Sequence, residues 1–287
     1  MGINYNVTTG GYNEDWVPKV SDIRQSGRIG NCWMLTALLT LIDNGKSDSI
    51  RDCFVNYDTF LNDKIARFKF FKLEFSYISW FNPFNWSANI TIGDTVEIKV
   101  DNTIHKETNG SAVWVKLFEK AFAAYIAQNC ISSTSCFRRF LLPNNGDVVG
   151  EKIDISKILS GSFPCFCRAA VTGIPEQCVK ELTLNLCNRN DDILRLFYNC
   201  SENNIPLCFS VASCKKYTDI ATNQEKRLQP GHSYSFLKYD SVNKRIYFRD
   251  PRHGSEERII KFDIFCDLVK GFIFGLKQFD KQKERFE

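Results

Sequence analysis

The residues best suited to covalent chemistry lie near the start of this 287-residue chain. Cys32 directly precedes an apolar run that predicts a buried helix, and Gln25, Gly27 and Gly30 come shortly before it. Backbone N–H groups at a helix N-terminus are unpaired and lie at the positive end of the helix dipole, so they favour a thiolate over a thiol. The glycines permit a tight backbone beside the sulfur, and Gln25 is placed to aim its amide at an oxyanion, together with the backbone N–H of Cys32. We therefore interpret Cys32 as a nucleophile.

The alternative for Cys32 is a packing role, since cysteine is among the most buried residue types. The three histidines help to decide between these readings. His105 and His253 occur in polar turn sequences, whereas His232 opens a predicted strand. An imidazole at the mouth of a rigid strand is well placed to act as a general base, and Gly231 beside it allows another backbone to approach closely. We predict His232 as the partner of the thiol.

Asp250 is the predicted third member of the site. It ends the strand that follows the His232 strand, and the intervening segment is typical of a hairpin. In an antiparallel hairpin the end of one strand lies beside the start of the other. A carboxylate there fixes the tautomer and orientation of the imidazole. The order Cys, His, Asp, with the nucleophile early and its partners late, is expected of a two-lobed thiol hydrolase.

The elements that must position these residues indicate an α+β fold. We predict an N-terminal lobe over 15–150, helix-rich with a small sheet, and a C-terminal lobe over 151–280 that consists mainly of antiparallel strands. In the strand predicted over 66–77, the two-residue period of apolar side chains breaks near Phe71. In the helix predicted over 112–128, we place Lys116, Glu119 and Lys120 on the solvent face. Periodicity predicts helices over 33–43, 112–128, 191–200 and 263–269, and strands over 66–77, 94–100, 207–212, 232–239, 245–250, 259–262 and 272–279.

Composition excludes several classes of protein. A net charge of +4 is too small and dispersed to indicate nucleic-acid binding. No apolar window is long enough for membrane insertion, and no secretory leader is evident, so we expect a cytoplasmic protein with reduced cysteines. A metal site is the alternative for four cysteines, but their spacing matches no common zinc pattern. These are Cys165, Cys167, Cys178 and Cys187.

Four segments, in this order, resemble the protease core of the calpain family within the papain-like group. The resemblance runs from about Trp16 to Phe279. It implies two lobes that enclose the active-site cleft, with Cys32 as nucleophile on one lobe. His232 as general acid/base and Asp250 as orienting residue lie on the other, and Gln25 is the oxyanion-hole donor. The segments are Asp22–Ala37, Thr95–Asp101 with Trp114–Phe122, Gly231–Ser235 and Arg249–Gly254.

The chain departs from the calpain pattern at several positions. One extra residue separates Gln25 from Cys32, and Asp250 stands where the family has asparagine. A carboxylate holds an imidazolium more strongly than an amide does and shifts the pH profile. Arg252 replaces the tryptophan that shields the ion pair, and the stretch after Gly254 lacks the acidic, tryptophan-bearing loop that helps calpains bind calcium. We expect no required cofactor and leave calcium dependence open.

The resemblance implies a calpain-like cysteine endopeptidase that hydrolyses protein or peptide substrates through a thioester. Two alternatives stay open. One is a catalytically impaired interaction module that keeps the fold, and the other is a deubiquitinase or transamidase that uses the same triad. Control by a regulatory partner or by further domains is also left open.

Overall fold

The fold is given by a computed structural model. It describes residues 16–25, 30–77, 85–102, 111–128, 131–133, 155–181, 190–211, 214–254, 256–268 and 272–276. Within these ranges, no helix has both the length and the apolar character needed to cross a membrane.

The helices follow a short 3-10 turn at Val20–Asp22. Four of them agree with the four predicted helices to within two residues at each end, and the sequence analysis predicted no helix at the other four segments. The helices are α1 (Cys32–Asp43), α2 (Ser47–Cys53), α3 (Phe60–Asp63), α4 (Val113–Ala127), α5 (Ile155–Ile158), α6 (Pro164–Thr172), α7 (Asn190–Glu202) and α8 (Phe262–Leu268).

The strands form one large sheet and one separate hairpin. The sheet has nine strands in the order β10-β9-β8-β5-β11-β4-β2-β1-β3, and β6 pairs only with β7. All pairings within these elements are antiparallel except β1 with β3. The strands are β1 (Ile65–Tyr77), β2 (Asn85–Asp101), β3 (Ile131–Ser133), β4 (Glu176–Glu181), β5 (Leu207–Ser210), β6 (Lys215–Asp219), β7 (Gln224–Leu228), β8 (Ser233–Asp240), β9 (Arg245–Arg249), β10 (Glu257–Lys261) and β11 (Phe272–Leu276).

The sequence predicted a fold of helices and mainly antiparallel strands, and the structure has this coarse architecture. The sheet itself is continuous across both predicted lobes, because β2 pairs with β4. The predicted boundary near residue 150 falls outside the described residues. Buried apolar side chains nevertheless form two clusters, one around α1, α4 and α6 and one around β5, β8, β9 and α8.

Aromatic side chains fill the first cluster. Phe70 on β1 meets Phe118 and Phe122 on α4, each with ring centroids 5.4 Å apart and the ring planes nearly perpendicular. Edge-to-face contacts of this kind add about 0.5–1.5 kcal/mol beyond the burial of area. The predicted break in β1 is confirmed as a register shift between Phe71 and Leu73.

The prediction for Glu119 is wrong. It was placed on the solvent face of its helix, but only 3% of the residue is exposed. The reason is a tertiary contact with Asn31, the residue before α1. The side-chain amide of Asn31 donates a hydrogen bond to Glu119 Oε1 over 2.5 Å.

Helix α1 is buried on all sides from Cys32 to Leu41. Its polar positions face strand β8. The Thr36 hydroxyl donates to the carbonyl oxygen of Ser233 at 3.0 Å, and the Thr40 hydroxyl lies 2.9 Å from that of Ser235. Buried hydroxyls need such partners, so these bonds fix the helix against one strand. The first residue of α1 is thereby held close to the start of β8.

Candidate active site

Cys32 occupies the first position of α1 and is 7% exposed. Asn31 takes the N-cap position before it, yet its side chain makes no cap hydrogen bond to the helix. That side chain is held by Glu119 instead. The first-turn N–H groups of α1 are therefore not covered by an Asn31 side-chain cap, which keeps the positive end of the helix directed at the sulfur.

Gly30 lets the chain enter this helix. A Cβ at this residue would lie 3.1 Å from Ser160 Oγ and 3.2 Å from Ser160 Cα. The Gly30 carbonyl also accepts a hydrogen bond from the backbone N–H of Gly161 at 3.1 Å. The close contact at Gly30 is thus with the segment around Ser160, whereas the tight backbone predicted beside the sulfur stays a prediction. Gly27 lies outside the described residues.

His232 directly precedes β8 and is almost fully buried. Its Nε2 lies 2.8 Å from Asp250 Oδ1. Because Nε2 is engaged by Asp250, Nδ1 is the ring nitrogen left for Cys32, to which the imidazole is also hydrogen-bonded. The Cys32 Sγ lies 4.0 Å from the Gly231 carbonyl oxygen. The structure thus brings together three of the predicted site residues.

Gly231 has a different function from the one predicted. Among the described residues, no atom lies within 4 Å of the position that a Cβ would take, so none of their backbone approaches closely there. Its φ is +67°, a left-handed conformation that favours glycine. The turn before β8 requires this conformation in order to present His232.

Asp250 follows β9 and sits beside His232 as the hairpin predicted. The two strands pair with Ser235 opposite Arg249, which brings their ends together at this edge. Asp250 Oδ1 also accepts the backbone N–H of Arg252 at 3.0 Å. The Arg252 side chain, for its part, donates a hydrogen bond to Gln229.

Electrostatics favour a thiolate and an imidazolium. Burial raises the pKa of Cys32, but the hydrogen bond and charge of His232, with the backbone N–H groups of Ser233 and Trp33, lower the pKa overall. Burial lowers the pKa of His232, but the hydrogen bonds and charges of Asp250 and Cys32 raise it overall. Burial raises the pKa of Asp250, and the opposing interactions with His232 and Arg258 bring it down to about 2. Each group thus favours the charged form of its neighbour.

Two residues that contact this site were not found from the sequence. Arg258 on β10 places Nη1 3.1 Å from Asp250 Oδ2, and the side chains of both are about 5% exposed. Tyr234 on β8 packs the edge of its ring against His232, with centroids 4.9 Å apart. The usable signal for Arg258 was the short turn after Asp250, which brings the following strand back beside it.

Gln25 is anchored at the same edge of the molecule. Its backbone N–H donates to the Pro251 carbonyl at 2.8 Å, one residue after Asp250. The backbone N–H of Arg24 donates to the Ser111 hydroxyl at 3.0 Å, which ties the segment to the start of α4. Residues 26–29, between Gln25 and Cys32, lie outside the described residues. The oxyanion role of Gln25 stays a prediction.

The sequence analysis also named two other histidines and several other cysteines. His253 lies in the turn after Asp250, half exposed, with Nδ1 3.7 Å from Glu256 Oε2. His105 falls outside the described residues. Cys165 is disulfide-bonded, so the prediction of reduced cysteines is wrong at this residue. Cys167 is a buried free thiol, and the described residues contain no cluster of three or more His, Cys, Asp or Glu able to hold a metal.

The arrangement has the parts needed for nucleophilic catalysis by sulfur. A buried thiol at a helix start touches an imidazole, and a buried carboxylate orients that imidazole. Comparison with known proteins adds nothing to this geometry, since neither a scan against models of protein families nor a search of curated proteins gave a match.

Proposed function

We propose that the protein is a calpain-like cysteine endopeptidase with a papain-like arrangement of two lobes. The observation that carries the proposal is the continuous chain of contacts from Cys32 through His232 to Asp250. A structural cysteine has no need of a buried imidazole, nor the imidazole of a buried carboxylate. The division of the apolar side chains into two clusters supports the lobes, with α1 packed where they meet.

The reaction would follow from the charges of these groups. The Cys32 thiolate attacks the carbonyl carbon of a peptide bond, and the carbonyl oxygen becomes an oxyanion. The Gln25 amide and the backbone N–H of Cys32 would stabilise that oxygen. The His232 imidazolium gives its proton to the leaving amine, and a thioester remains on Cys32. The neutral imidazole then takes a proton from water, whose oxygen displaces the sulfur and releases the acid product.

Asp250 would hold the ring throughout both steps. Its Oδ1 fixes the position of Nε2, so the ring presents Nδ1 to the sulfur and to the departing amine. Tyr234 packs against the ring and limits its rotation. Neither residue would exchange a proton with substrate.

Peptide hydrolysis tests the proposal directly. The protein is incubated with a peptide library and, separately, with ubiquitin conjugates, and products are identified by mass spectrometry. We expect internal peptide bonds to be cleaved by the wild type and not by C32S or H232N. C214S, which removes an exposed thiol, and H253Q, which removes a half-exposed imidazole, should retain activity.

The other outcomes contradict the proposal in different ways. Cleavage confined to isopeptide conjugates would favour a deubiquitinase. Unchanged cleavage by C32S would exclude Cys32 as the nucleophile. Cleavage of neither substrate, with no thiol modification at Cys32, would favour an interaction module that keeps the fold without the activity.

A further inference from the structure

Arg258 is a buried cation beside the carboxylate of Asp250. Its Nη1 lies 3.1 Å from Asp250 Oδ2, whereas Oδ1 faces His232 Nε2 at 2.8 Å. The two oxygens of Asp250 are thus divided between a base and a permanent cation. Arg258 is 4% exposed, so water screens this contact very little.

The position of Arg258 follows from the register of two strands. β9 and β10 pair antiparallel with Arg258 opposite Phe248, and the turn between them starts at Asp250. Arg258 and Ile260 point inward on β10, whereas Glu257 and Lys261 are exposed. An arginine at an inward position of a short strand needs a buried anion, and Asp250 supplies it.

The charges of the site then alternate. Cys32 as thiolate, His232 as imidazolium, Asp250 as carboxylate and Arg258 as guanidinium give two anions and two cations with no net charge. All four residues are less than a tenth exposed. Without Arg258 the same buried site would carry one uncompensated negative charge, which opposes the thiolate and overstabilises the imidazolium.

We propose that Arg258 is a positioning residue that fixes Asp250 toward His232 and offsets its charge, so that thiolate and imidazolium coexist in a site of zero net charge. Because their charges cancel, Asp250 and Arg258 together then act on the imidazole as one neutral hydrogen-bond acceptor would. The consequence for turnover rests on the proposed function, but the effect on His232 does not.

Other charged and titratable groups face this pair from the neighbouring elements. Glu256 Oε1 lies 4.0 Å from Arg258 Nε and also contacts Lys226, which lies 3.4 Å from Asp219. Lys226 thus pairs with both Glu256 and Asp219, and none of these three residues is replaced in the variants below. Among the described residues, the charged and titratable groups near the pair include Arg24, Cys32, Tyr217, Asp219, Lys226, His232, Tyr234, His253 and Glu256.

The experiment is a double-mutant cycle in which the charges of Asp250 and Arg258 are removed singly and together. The pKa of His232 is measured in each variant by NMR. With three histidines in the chain, ring signals are assigned by comparison with H253Q and H232N. We expect R258M to raise the pKa of His232 by about one unit, the size of effect that a nearby buried charge produces. D250N should lower it, because a lone cation remains. The double variant D250N/R258M should return it toward the wild-type value, and R258K should shift it less than R258M.

R249M is the matched control. Arg249 pairs with Asp43 at 3.2 Å, and its side chain is 16% exposed. Its loss should reduce stability without moving the titration. A folded R258M with unchanged His232 titration overturns the proposal. If R258M does not fold, the double variant D250N/R258M decides. A His232 pKa equal to that of D250N overturns the proposal, and a His232 pKa that returns toward the wild-type value supports it.

Activity separates this proposal from the proposed function. If peptide hydrolysis is absent but His232 responds as described, the endopeptidase reading fails and the Arg258 inference stands. If hydrolysis depends on Cys32 but R258M leaves both the His232 titration and the pH profile of kcat/KM unchanged, the endopeptidase reading stands and the Arg258 inference fails.

Discussion

Replacing Glu119 with glutamine should stabilise the protein in alkaline solution while changing little near pH 5. Burial raises the pKa of Glu119 to about 8, against the opposing effects of the Asn31 hydrogen bond and the Lys116 charge. The fold thus favours the protonated carboxyl. Glutamine keeps an acceptor for the Asn31 amide and cannot ionise, so it retains the contact with the residue that precedes α1.

The magnitude follows from linkage. In the unfolded chain Glu119 ionises with a pKa near 4.5, whereas in the folded protein it remains protonated up to about 8. Stability is therefore fully present below pH 4.5 and falls as pH rises toward 8. Each unit of difference corresponds to about 1.4 kcal/mol, so the loss at pH 8 is at most on the order of 5 kcal/mol.

Urea denaturation at pH 5, 6, 7 and 8 measures this effect. We expect the wild type to lose stability steadily over this range relative to E119Q. The control is E97Q, the same substitution at an exposed position on β2, whose curve should run parallel to the wild type. If the E119Q and wild-type curves are also parallel, the carboxyl is not held protonated and the reasoning is wrong.

The remaining predictions concern the placement of α1. T36V leaves the buried Ser233 carbonyl without its 3.0 Å hydrogen bond, so it should cost about 1–3 kcal/mol and reduce kcat. T172V, which removes a hydroxyl bond within α6, should lower stability but spare kcat, and equal effects on kcat would contradict this. G30A places a Cβ 3.2 Å from Ser160 Cα, so it should cost about 1–3 kcal/mol, and an unchanged denaturation midpoint would contradict the contact.

The sequence predicted the parts of the site that lie on strongly patterned elements. α1 has apolar residues on nearly every side, and β8 and β9 alternate around a short turn, so Cys32, His232 and Asp250 could be placed at the ends of elements. Bringing His232 beside Asp250 required only the geometry of one hairpin. Bringing Cys32 beside His232 required a contact between distant segments, which only the order of the residues and the family resemblance suggested.

The residues that were missed are those whose role depends on tertiary contacts. Glu119 belongs to a helix with charged neighbours, and nothing in its local sequence shows that Asn31 contacts it. Arg258 stands between glutamate and isoleucine in a strand that resembles a surface strand. Thr36 is one polar residue in an apolar helix, and its partner is a backbone carbonyl that has no signature in sequence. Burial, which decides all three cases, depends on the whole fold.

The most direct test of the account is the pH dependence of Cys32 alkylation by iodoacetamide. Peptide mass spectrometry reads each cysteine separately, and the exposed Cys214 serves as an internal comparison. If Cys32 is a thiolate paired with an imidazolium, its modification should be as fast at pH 6 as at pH 8, and H232N should abolish this behaviour. A Cys32 rate that climbs with pH as an ordinary thiol does, and that is indifferent to H232N, would contradict the account.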